Sequence, residues 1–589
     1  MMYDDIAHDP ENPYPGQMFN APGGPDVYGG VRVDYRGSDV SAAVFLAVLE
    51  GNASALPAAT RGSGRVLASG PYDRVFVFYS DHGAPGVLGM PSGSFLYADE
   101  LVGALQRKWR HRGYKEAVLY IEACESGSMF EGLLPPDIGA YATTASNAME
   151  SSWGTYCPGM SPGPPPLFST CLGDLYSVAW MENADVCDLT QETLMAQYSI
   201  IRNRTSNNYT YAMGSHVMQY GSLAITREVA GDYQGMRNRG EEGAQGGEIS
   251  DPWSSAAAAQ CRPNPSPAPT PGAPPPAPGL VPTQSTAVPG GGRGEQEPGS
   301  GNRAGWLGAA GAVLHWLHSS LGGVIAMPLS RASRSSSRPS VSASRHSSDV
   351  GSSGQHEHRR ERQGPHVHEP QREADLAPLK HAAAHAATTE RRAAAAEALA
   401  REQARRQGLD QSAVAAATSL LQRLPALAQE VAPLVQAAST ARRALADSGV
   451  SAAAEAAAEP ALLAAMAQDL VYGPVRGRRG RPEALASSGP MTGDVETGEA
   501  AAGGQQQQLE PAAQPLVDDW DCLRAMVAAW SDSCGPMAAD QYAMRHTRLL
   551  ARLCNAHVAP ALVAEALSIS GCGIASSSPG GPGAGTGVE

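Results

Sequence analysis

Two apolar runs of similar shape lie in the first quarter of the chain, at 73–83 (DRVFVFYSDHG) and 115–127 (KEAVLYIEACESG). Each run is followed at once by polar and small residues, a pattern typical of a short buried strand that ends at a turn. Between them, 97–113 (YADELVGALQRKWRHRG) repeats apolar residues at helical spacing and ends in basic residues and glycine, which suits a helix C-terminus. Strand, helix and strand in this order predict a βαβ unit, so the two strands should be parallel and end at the same sheet edge.

The composition changes along the 589 residues, and the changes predict domain boundaries. Residues 1–250 have mixed composition and regular apolar runs, as expected of a globular α/β domain. Residues 251–368 are rich in proline, glycine, serine and arginine and hold too few large apolar side chains to offset the entropy lost on ordering, which predicts a disordered spacer. Within it, 305–329 is long enough to cross a bilayer, but its glycine, serine and histidine content makes a poor span, and we expect no membrane contact.

The C-terminal part is predicted to be helical. Residues 369–572 are rich in alanine, arginine, glutamate and leucine, and 515–572 contains two segments with apolar residues at i, i+3, i+4 and i+7. Residues 573–589, which are mainly glycine, serine and proline, should form a disordered tail. The predicted fold class is therefore an α/β domain followed by an all-α domain.

Charge and cysteine content restrict the function and the compartment. A formal net charge of -15 argues against nucleic acid as the main partner, because a phosphate-binding surface is usually basic. The nine cysteines include one pair and one group of four that are close in sequence, which indicates disulfides and an oxidising compartment. Three N-x-[ST] sequons are compatible with glycosylation on a secretory route, at Asn52, Asn203 and Asn208. Neither Cys124 nor His82 sits in a C-x₂-C or H-x₃-H spacing, and we expect no metal and no cofactor.

His82 follows the first predicted strand and Cys124 follows the second. Parallel strands would bring both side chains to one sheet edge, where open α/β folds place their sites. A thiol beside an imidazole supplies the nucleophile and the general acid and base needed for acyl transfer. Gly83 and the backbone N–H of Cys124 are candidates for stabilising an oxyanion. From the residues alone, a structural pair without catalysis stays equally open.

The sequence resembles the legumains, the asparaginyl endopeptidases also called vacuolar processing enzymes, and among them the plant forms. The matching segments cover about 1–222 and include VYGGVRVDYRGSDV, YSDHG, LYIEACESGSMFEG, YATTASNAMESSWGTYCPG, TCLGDLYSVAWMENADV and GSHVMQYG. Later, QREADL and QPLVDDWDCL with YAMRHTRLLARLCNA resemble the C-terminal prodomain of the same family.

The resemblance implies a caspase-like α/β sandwich over 1–250 in which Cys124 is the nucleophile and His82 the general base and acid. It also implies cleavage of peptide bonds after Asn, and less readily after Asp, through a thioester. By motif position, Glu122, Ser152 and Asp174 should line the pocket for the Asn side chain, since carboxylates accept the N–H bonds of an amide. Those carboxylates would repel an Asp substrate until acid protonates it, so cleavage after Asp should need lower pH. Without the resemblance, Ser152 is a turn residue and Asp174 a helix cap.

The resemblance further implies a zymogen whose prodomain, within 369–572 and best matched at 515–572, inhibits the active site until cleavage in acid. We hypothesise that Arg545 forms a latch with Glu125 or a neighbouring carboxylate and that acid weakens it by protonating the partner. The alternative is an ordinary solvated arginine on an amphipathic helix. The expected partners are protein and peptide substrates with Asn at the cleavage site, and the expected location is a vacuole or lysosome-like compartment reached by secretion.

The resemblance also implies a disulfide pattern, whereas spacing alone allows three connectivities for the last four cysteines. The implied pairs are Cys522–Cys554, Cys534–Cys572 and the Cys157–Cys171 bridge of plant forms. Cys187 and Cys261 have no obvious partner.

The first residues differ from the family pattern. Legumains carry, before the motif MMYDD, a signal peptide, a first strand, and an SNG turn followed by Arg; the Asn orients the catalytic His and the Arg serves the pocket. The chain opens on MMYDDIAHDPENPYPG, which has no basic start and no apolar middle. We therefore expect an N-terminally truncated protease domain with a sheet edge left unpaired. Two alternatives follow: a catalytically impaired remnant that acts as a binding module, and a peptide asparaginyl ligase in which an amine captures the thioester.

Overall fold

The computed structural model describes residues 6–9, 12–206, 215–235, 261, 376–424, 427, 463–473 and 514–572, and all of these belong to one compact unit. The predicted spacer apart from Cys261, the apolar segment 305–329 and the tail 573–589 lie outside the described residues. No helix among the residues described is both long enough and apolar enough to cross a membrane.

The described strands belong to the N-terminal half of the chain. They are β1 Arg74–Ser80, β2 Gly83–Ala84, β3 Val87–Leu88, β4 Leu96–Tyr97, β5 Glu116–Glu122, β6 Ala140–Thr144, β7 Gly154–Thr155, β8 Gly173–Asp174 and β9 Met218–Gly221. The main sheet has the order β1-β5-β6-β9, in which β1, β5 and β6 are parallel and β9 is antiparallel. Within the described part of the chain, β1 therefore forms one edge of this sheet.

The helices occur in both halves. They are α1 Ala42–Glu50, α2 Ala98–Arg110, α3 Leu175–Val186, α4 Leu194–Ser206, α5 Gly231–Gln234, α6 Ala377–His385, α7 Thr389–Arg423, α8 at 463–472, α9 Trp520–Cys534, α10 Thr547–Asn555 and α11 Pro560–Ile569. The predicted β1–α2–β5 unit is confirmed, with a parallel register that runs from Arg74 opposite Glu116 to Ser80 opposite Glu122.

The residues of strand β5 between its two terminal glutamates, 117–121, are all apolar or aromatic because helices cover both faces of the sheet. Leu119 and Ile121 pack into one core with residues of α1 and α2, whereas Val118 and Tyr120 pack on the opposite face with residues of α3 and α4. This alternation of neighbouring side chains between two layers follows from the strand period of two. The result is the α/β sandwich that the sequence predicted.

The C-terminal helices share one apolar core. Leu420 of α7, Trp530 of α9, Leu550 of α10 and Leu567 of α11 are each at most 1% exposed and belong to a single cluster. The same cluster includes four residues around β2 to β4, namely Ala84, Val87, Phe95 and Tyr97. The helical part is thus packed directly on the α/β sandwich, and the predicted all-α architecture is confirmed.

Four disulfides are present. Three are the pairs that the resemblance implied, Cys157–Cys171, Cys522–Cys554 and Cys534–Cys572. The fourth joins Cys187, directly after α3, to Cys261, and it corrects the expectation that these two cysteines have no partner. Their separation of 74 residues left no local spacing from which the pair could be inferred.

Candidate active site

His82 and Cys124 occupy equivalent positions beyond two paired strands. Ser80 and Glu122 are register partners at the ends of β1 and β5, and His82 and Cys124 each lie two residues further along. The backbone N–H of Asp81 donates to the carbonyl oxygen of Glu122 at 3.2 Å, so the two chains stay together past the last paired residues. The parallel pairing therefore brings the two candidate residues to one sheet edge, as a βαβ unit requires.

Cys124 is 1% exposed and keeps its thiol, since the eight other cysteines form the four disulfides. Its Sγ lies 3.7 Å from the hydroxyl oxygen of Ser152. The next residue, Glu125, has a positive φ of 47°, a conformation that residues other than glycine rarely adopt. The chain thus turns sharply at the thiol and enters a short 3-10 helix at Ser126–Met129.

The hydroxyl group of Ser146 stabilises this turn through two hydrogen bonds. The Ser146 Oγ donates to the carbonyl oxygen of Ala123 at 3.0 Å and accepts from the backbone N–H of Ser126 at 3.2 Å. These bonds tie down the residues on both sides of Cys124 and Glu125. Ser146 was not predicted, and a lone serine in a loop gives no sequence signal for such a role.

Gly83 lies directly against the candidate nucleophile. A Cβ atom at this position would collide with the carbonyl oxygen of Cys124 and crowd the side chain of Ala123. The missing side chain thus lets β2 approach the Cys124 backbone closely. The backbone carbonyl of His82 accepts from the N–H of Gly89 at 2.7 Å, which fixes the segment on the other side.

Three predicted pocket residues gather beside the thiol. Glu122 and Ser152 are completely buried, and Asp174 is partly buried at the start of α3. Glu122 Oε2 accepts two hydrogen bonds of 2.8 Å from Ser177, one from its backbone N–H and one from its hydroxyl. Its other oxygen, Oε1, is also buried, and the hydroxyl of Ser152 lies near enough to the carboxyl group to lower its pKa.

Burial dominates the electrostatics of this cluster. It raises the pKa of Glu122 well above its usual range, and the charge of Asp174 raises it further, against lowering by hydrogen bonds from Ser177 and Ser152. Desolvation likewise raises the pKa of Asp174 to about 7. Two carboxyl groups so placed resist ionising together, because each charge disfavours the other. Ser177 was missed in the sequence, although a serine in the first turn of a helix is a common donor or cap.

The C-terminal helices contact the residue after the thiol. Arg548 at the start of α10 places Nη2 2.6 Å from Oε1 of Glu125 and 3.0 Å from the carbonyl oxygen of Met149. Its Nη1 donates to the carbonyl oxygen of Tyr472 at 3.2 Å. Glu125 is 1% exposed, so this ion pair is shielded from water.

The predicted latch between Arg545 and Glu125 is corrected by these contacts. Arg545 lies instead within the helical part, 4.0 Å from Asp410 and with its guanidinium over the rings of Tyr472 and Tyr542. Arg545 sits in a 3-10 turn and Arg548 lies in the first turn of the following α-helix. Because residues three apart lie on similar faces of a helix, the sequence pattern did not reveal which of the two arginines reaches Glu125.

A second group of contacts lies at the start of α2. Arg524 of α9 is 2.7 Å from Asp99 and 3.3 Å from Glu100, and its guanidinium stacks over the ring of Tyr97. Trp520 packs so closely on Gly86 that a Cβ there would touch its ring. Polar and apolar contacts therefore hold the helical part across the β2 to β4 region next to the site.

Of the three sequons, Asn52 and Asn203 are exposed on the surface, and Asn208 lies outside the described residues. The predicted glycosylation at all three stays a prediction.

Known protein families match the α/β part and the C-terminal helical part of the chain separately. Residues 1–236 match the Peptidase C13 family, and residues 487–572 match the legumain prodomain. The vacuolar-processing enzyme of Citrus sinensis is 57% identical over 234 residues, which are 40% of this chain and 46% of the relative. The legumain of Canavalia ensiformis is 55% identical over 235 residues, or 40% of this chain and 49% of the relative. The chain thus spans about half the length of the curated relatives it matches.

Proposed function

Because residues 1–236 belong to the Peptidase C13 family and a legumain prodomain follows at 487–572, we propose that the chain is the zymogen of a cysteine endopeptidase that cleaves after Asn. The observation that carries the proposal is the placement of His82 and Cys124 two residues beyond register partners of parallel strands, beside a buried acidic pocket. The placement of these residues and their charge thus favour a thiol nucleophile with an amide-binding subsite next to it.

The reaction proceeds by acyl transfer. His82 accepts the Cys124 proton, the thiolate attacks the carbonyl carbon of the scissile bond, and the carbonyl oxygen becomes an oxyanion. Backbone N–H groups of Cys124 and Gly83 stabilise that oxyanion. His82 then gives the proton to the departing amine, which leaves a thioester on Cys124. Water, deprotonated by His82, hydrolyses the thioester and restores the thiol.

The acidic pocket suits an Asn side chain. An amide carries two N–H donors and one carbonyl acceptor, and the carboxyl groups of Glu122 and Asp174, whose pKa values are both raised, accept from an N–H when ionised and donate to a carbonyl when protonated. A substrate Asp has no such donors while it is ionised, and the pocket carboxylates repel it. Since the pKa of Asp174 is raised to about 7, acid protonates this pocket carboxylate, and more strongly acidic conditions also protonate the Asp side chain of the substrate. Cleavage after Asp should therefore appear only in acid.

The helical part acts as the inhibitor of the same chain. Its ion pair with Glu125 and its packing on Gly86 cover the region beside the thiol, which would exclude a peptide. Protein substrates and a vacuolar location are part of the proposal, supported by relatives named vacuolar-processing enzymes and by disulfides that require an oxidising route.

The specificity is tested with matched peptides that differ only in Asn, Asp or Gln at one position. They are incubated with the acid-treated chain between pH 4 and pH 8, and the products are identified by mass. The proposal expects cleavage after Asn over the widest pH range, after Asp only in acid, and not after Gln. Equal cleavage of all three peptides would refute the Asn pocket, and a product longer than the substrate would indicate ligation in place of hydrolysis.

A further inference from the structure

The loop 145–152 connects β6 to the pocket, and it reaches three parts of the site. Its last residue, Ser152, lies 3.7 Å from the Cys124 sulfur, and the carbonyl oxygen of Met149 accepts from Arg548. The backbone carbonyl of Glu150 accepts from the N–H of Glu125 at 2.7 Å. Contacts that hold this loop in place therefore also hold Ser152 of the proposed pocket and the turn after Cys124 in place.

The side chain of Glu150 organises the loop from within. Its Oε1 accepts from the backbone N–H of Asn147 at 3.4 Å, and the side-chain oxygen of Asn147 accepts from the N–H of Met149 at 2.9 Å. Together these bonds close a turn over 147–150. The carboxylate also contacts His216, which lies two residues before strand β9.

His216 anchors that carboxylate to the sheet. Its Nδ1 lies 2.7 Å from Glu150 Oε2, and its backbone N–H donates to Glu150 Oε1 at 3.2 Å. The placement follows from the sheet: Thr144 pairs with Met218 in antiparallel register, so the residue two positions before Met218 lies beside the loop that follows Thr144. The two side chains are 16% and 26% exposed, respectively, so the charge-assisted bond is largely shielded.

We infer that His216 and Glu150 are positioning residues that hold loop 145–152 so that Ser152 faces the substrate side chain. The inference rests on the proposed function and extends it, because it names two residues that touch neither thiol nor substrate yet set the pocket. Two bonds from one residue to both carboxylate oxygens restrict the loop more than a single contact would. The pair therefore acts on substrate binding more than on the chemical step, which Cys124 and His82 carry out.

The kinetic test compares His216→Ala, His216→Gln and a matched control, His111→Ala, whose exposed histidine lies at the end of α2. His216→Ala should raise KM for an Asn peptide about tenfold, the effect of about one hydrogen bond to a charged group, with kcat nearly unchanged. His216→Gln keeps a side-chain donor and should recover part of the loss. His111→Ala should behave like the wild type.

An activity-independent measurement accompanies the kinetics. Hydrogen–deuterium exchange of the intact chain, followed by mass spectrometry, should show faster exchange in the peptide that covers 145–152 of His216→Ala, but not of His111→Ala. Thermal unfolding checks that the variants are folded. An unchanged KM together with unchanged exchange overturns the inference, as does an equal fall of kcat and stability without any KM effect. If the wild type cleaves no Asn peptide, both the proposed function and this inference are refuted. If the wild type is active and His216→Ala has the same KM and the same exchange rates as the wild type, only this inference is refuted.

Discussion

Arg548 of the C-terminal helices and Glu125, the residue directly after Cys124, form an ion pair with 2.6 Å between nitrogen and oxygen. One end of the contact belongs to the proposed inhibitor and the other to the turn that carries the proposed nucleophile. Because Glu125 is almost completely buried and follows Cys124 directly, the proposed inhibition would act beside the proposed nucleophile.

Arg548→Ala should weaken inhibition. Removing the guanidinium leaves a buried carboxylate and should cost about 3 kcal/mol of docking free energy. The full-length variant should therefore become active at a higher pH than the wild type, as measured with an Asn peptide over a pH series. Arg401→Ala is the control, since Arg401 pairs with Glu397 of its own helix and is 66% exposed. If Arg545→Ala advances activation and Arg548→Ala does not, the assignment of the latch is wrong.

Asp174→Asn should change the pH dependence of stability. Desolvation raises the pKa of Asp174 from 3.8 to about 7, so the folded state favours the protonated carboxyl. The stability that Asp174 provides is complete below pH 4 and is lost as pH rises through 7. The variant should match the wild type near pH 4 and exceed it by about 4 kcal/mol near pH 8, measured by denaturant unfolding. The exposed Asp137→Asn serves as control, and a variant that is less stable at pH 8 would contradict the burial argument.

Gly83→Ala should impair catalysis. The added methyl group collides with the Cys124 carbonyl, and a displacement of about 1 Å at a nucleophile can lower the rate about a hundredfold. Gly408→Ala is a matched substitution, since a Cβ there meets nothing within 4 Å and should stabilise α7 by about 1 kcal/mol. Steady-state kinetics and thermal melts of both variants measure these effects. A kcat of Gly83→Ala equal to that of the wild type would show that the close approach of β2 to the Cys124 backbone is unnecessary for catalysis.

The Cys187–Cys261 bridge should keep fragments joined. A single protease cut at any exposed site between these residues would leave both pieces linked until reductant is added. Electrophoresis with and without dithiothreitol after limited trypsin treatment measures this directly. Cys261→Ser should release the pieces without reductant, and release from the wild type under oxidising conditions would show that the bridge does not form.

Much of the site followed from local pattern, and the rest depended on long-range contacts. The strand ends that bring His82 and Cys124 together were predictable, because hydrophobic periodicity marks β1 and β5 and the intervening helix forces them parallel. The partner of Glu125 was not predictable, because Arg545 and Arg548 are three residues apart and lie on similar faces in a helical pattern. Nor was the contact between Glu150 and His216, which are 66 residues apart and meet only through the antiparallel pairing of β6 and β9.

The most direct test of the central claim is a mass-spectrometric assay of one Asn-containing peptide, with the full chain and its Cys124→Ala variant compared at acidic pH. Both proteins should show the same folded circular dichroism spectrum, so that any difference reports the thiol alone. Cleavage after Asn by the wild type and none by Cys124→Ala is the predicted result. Equal cleavage by both proteins, or none by a folded wild type freed of its C-terminal helices, would contradict the assignment of Cys124 as the nucleophile of an Asn-directed endopeptidase.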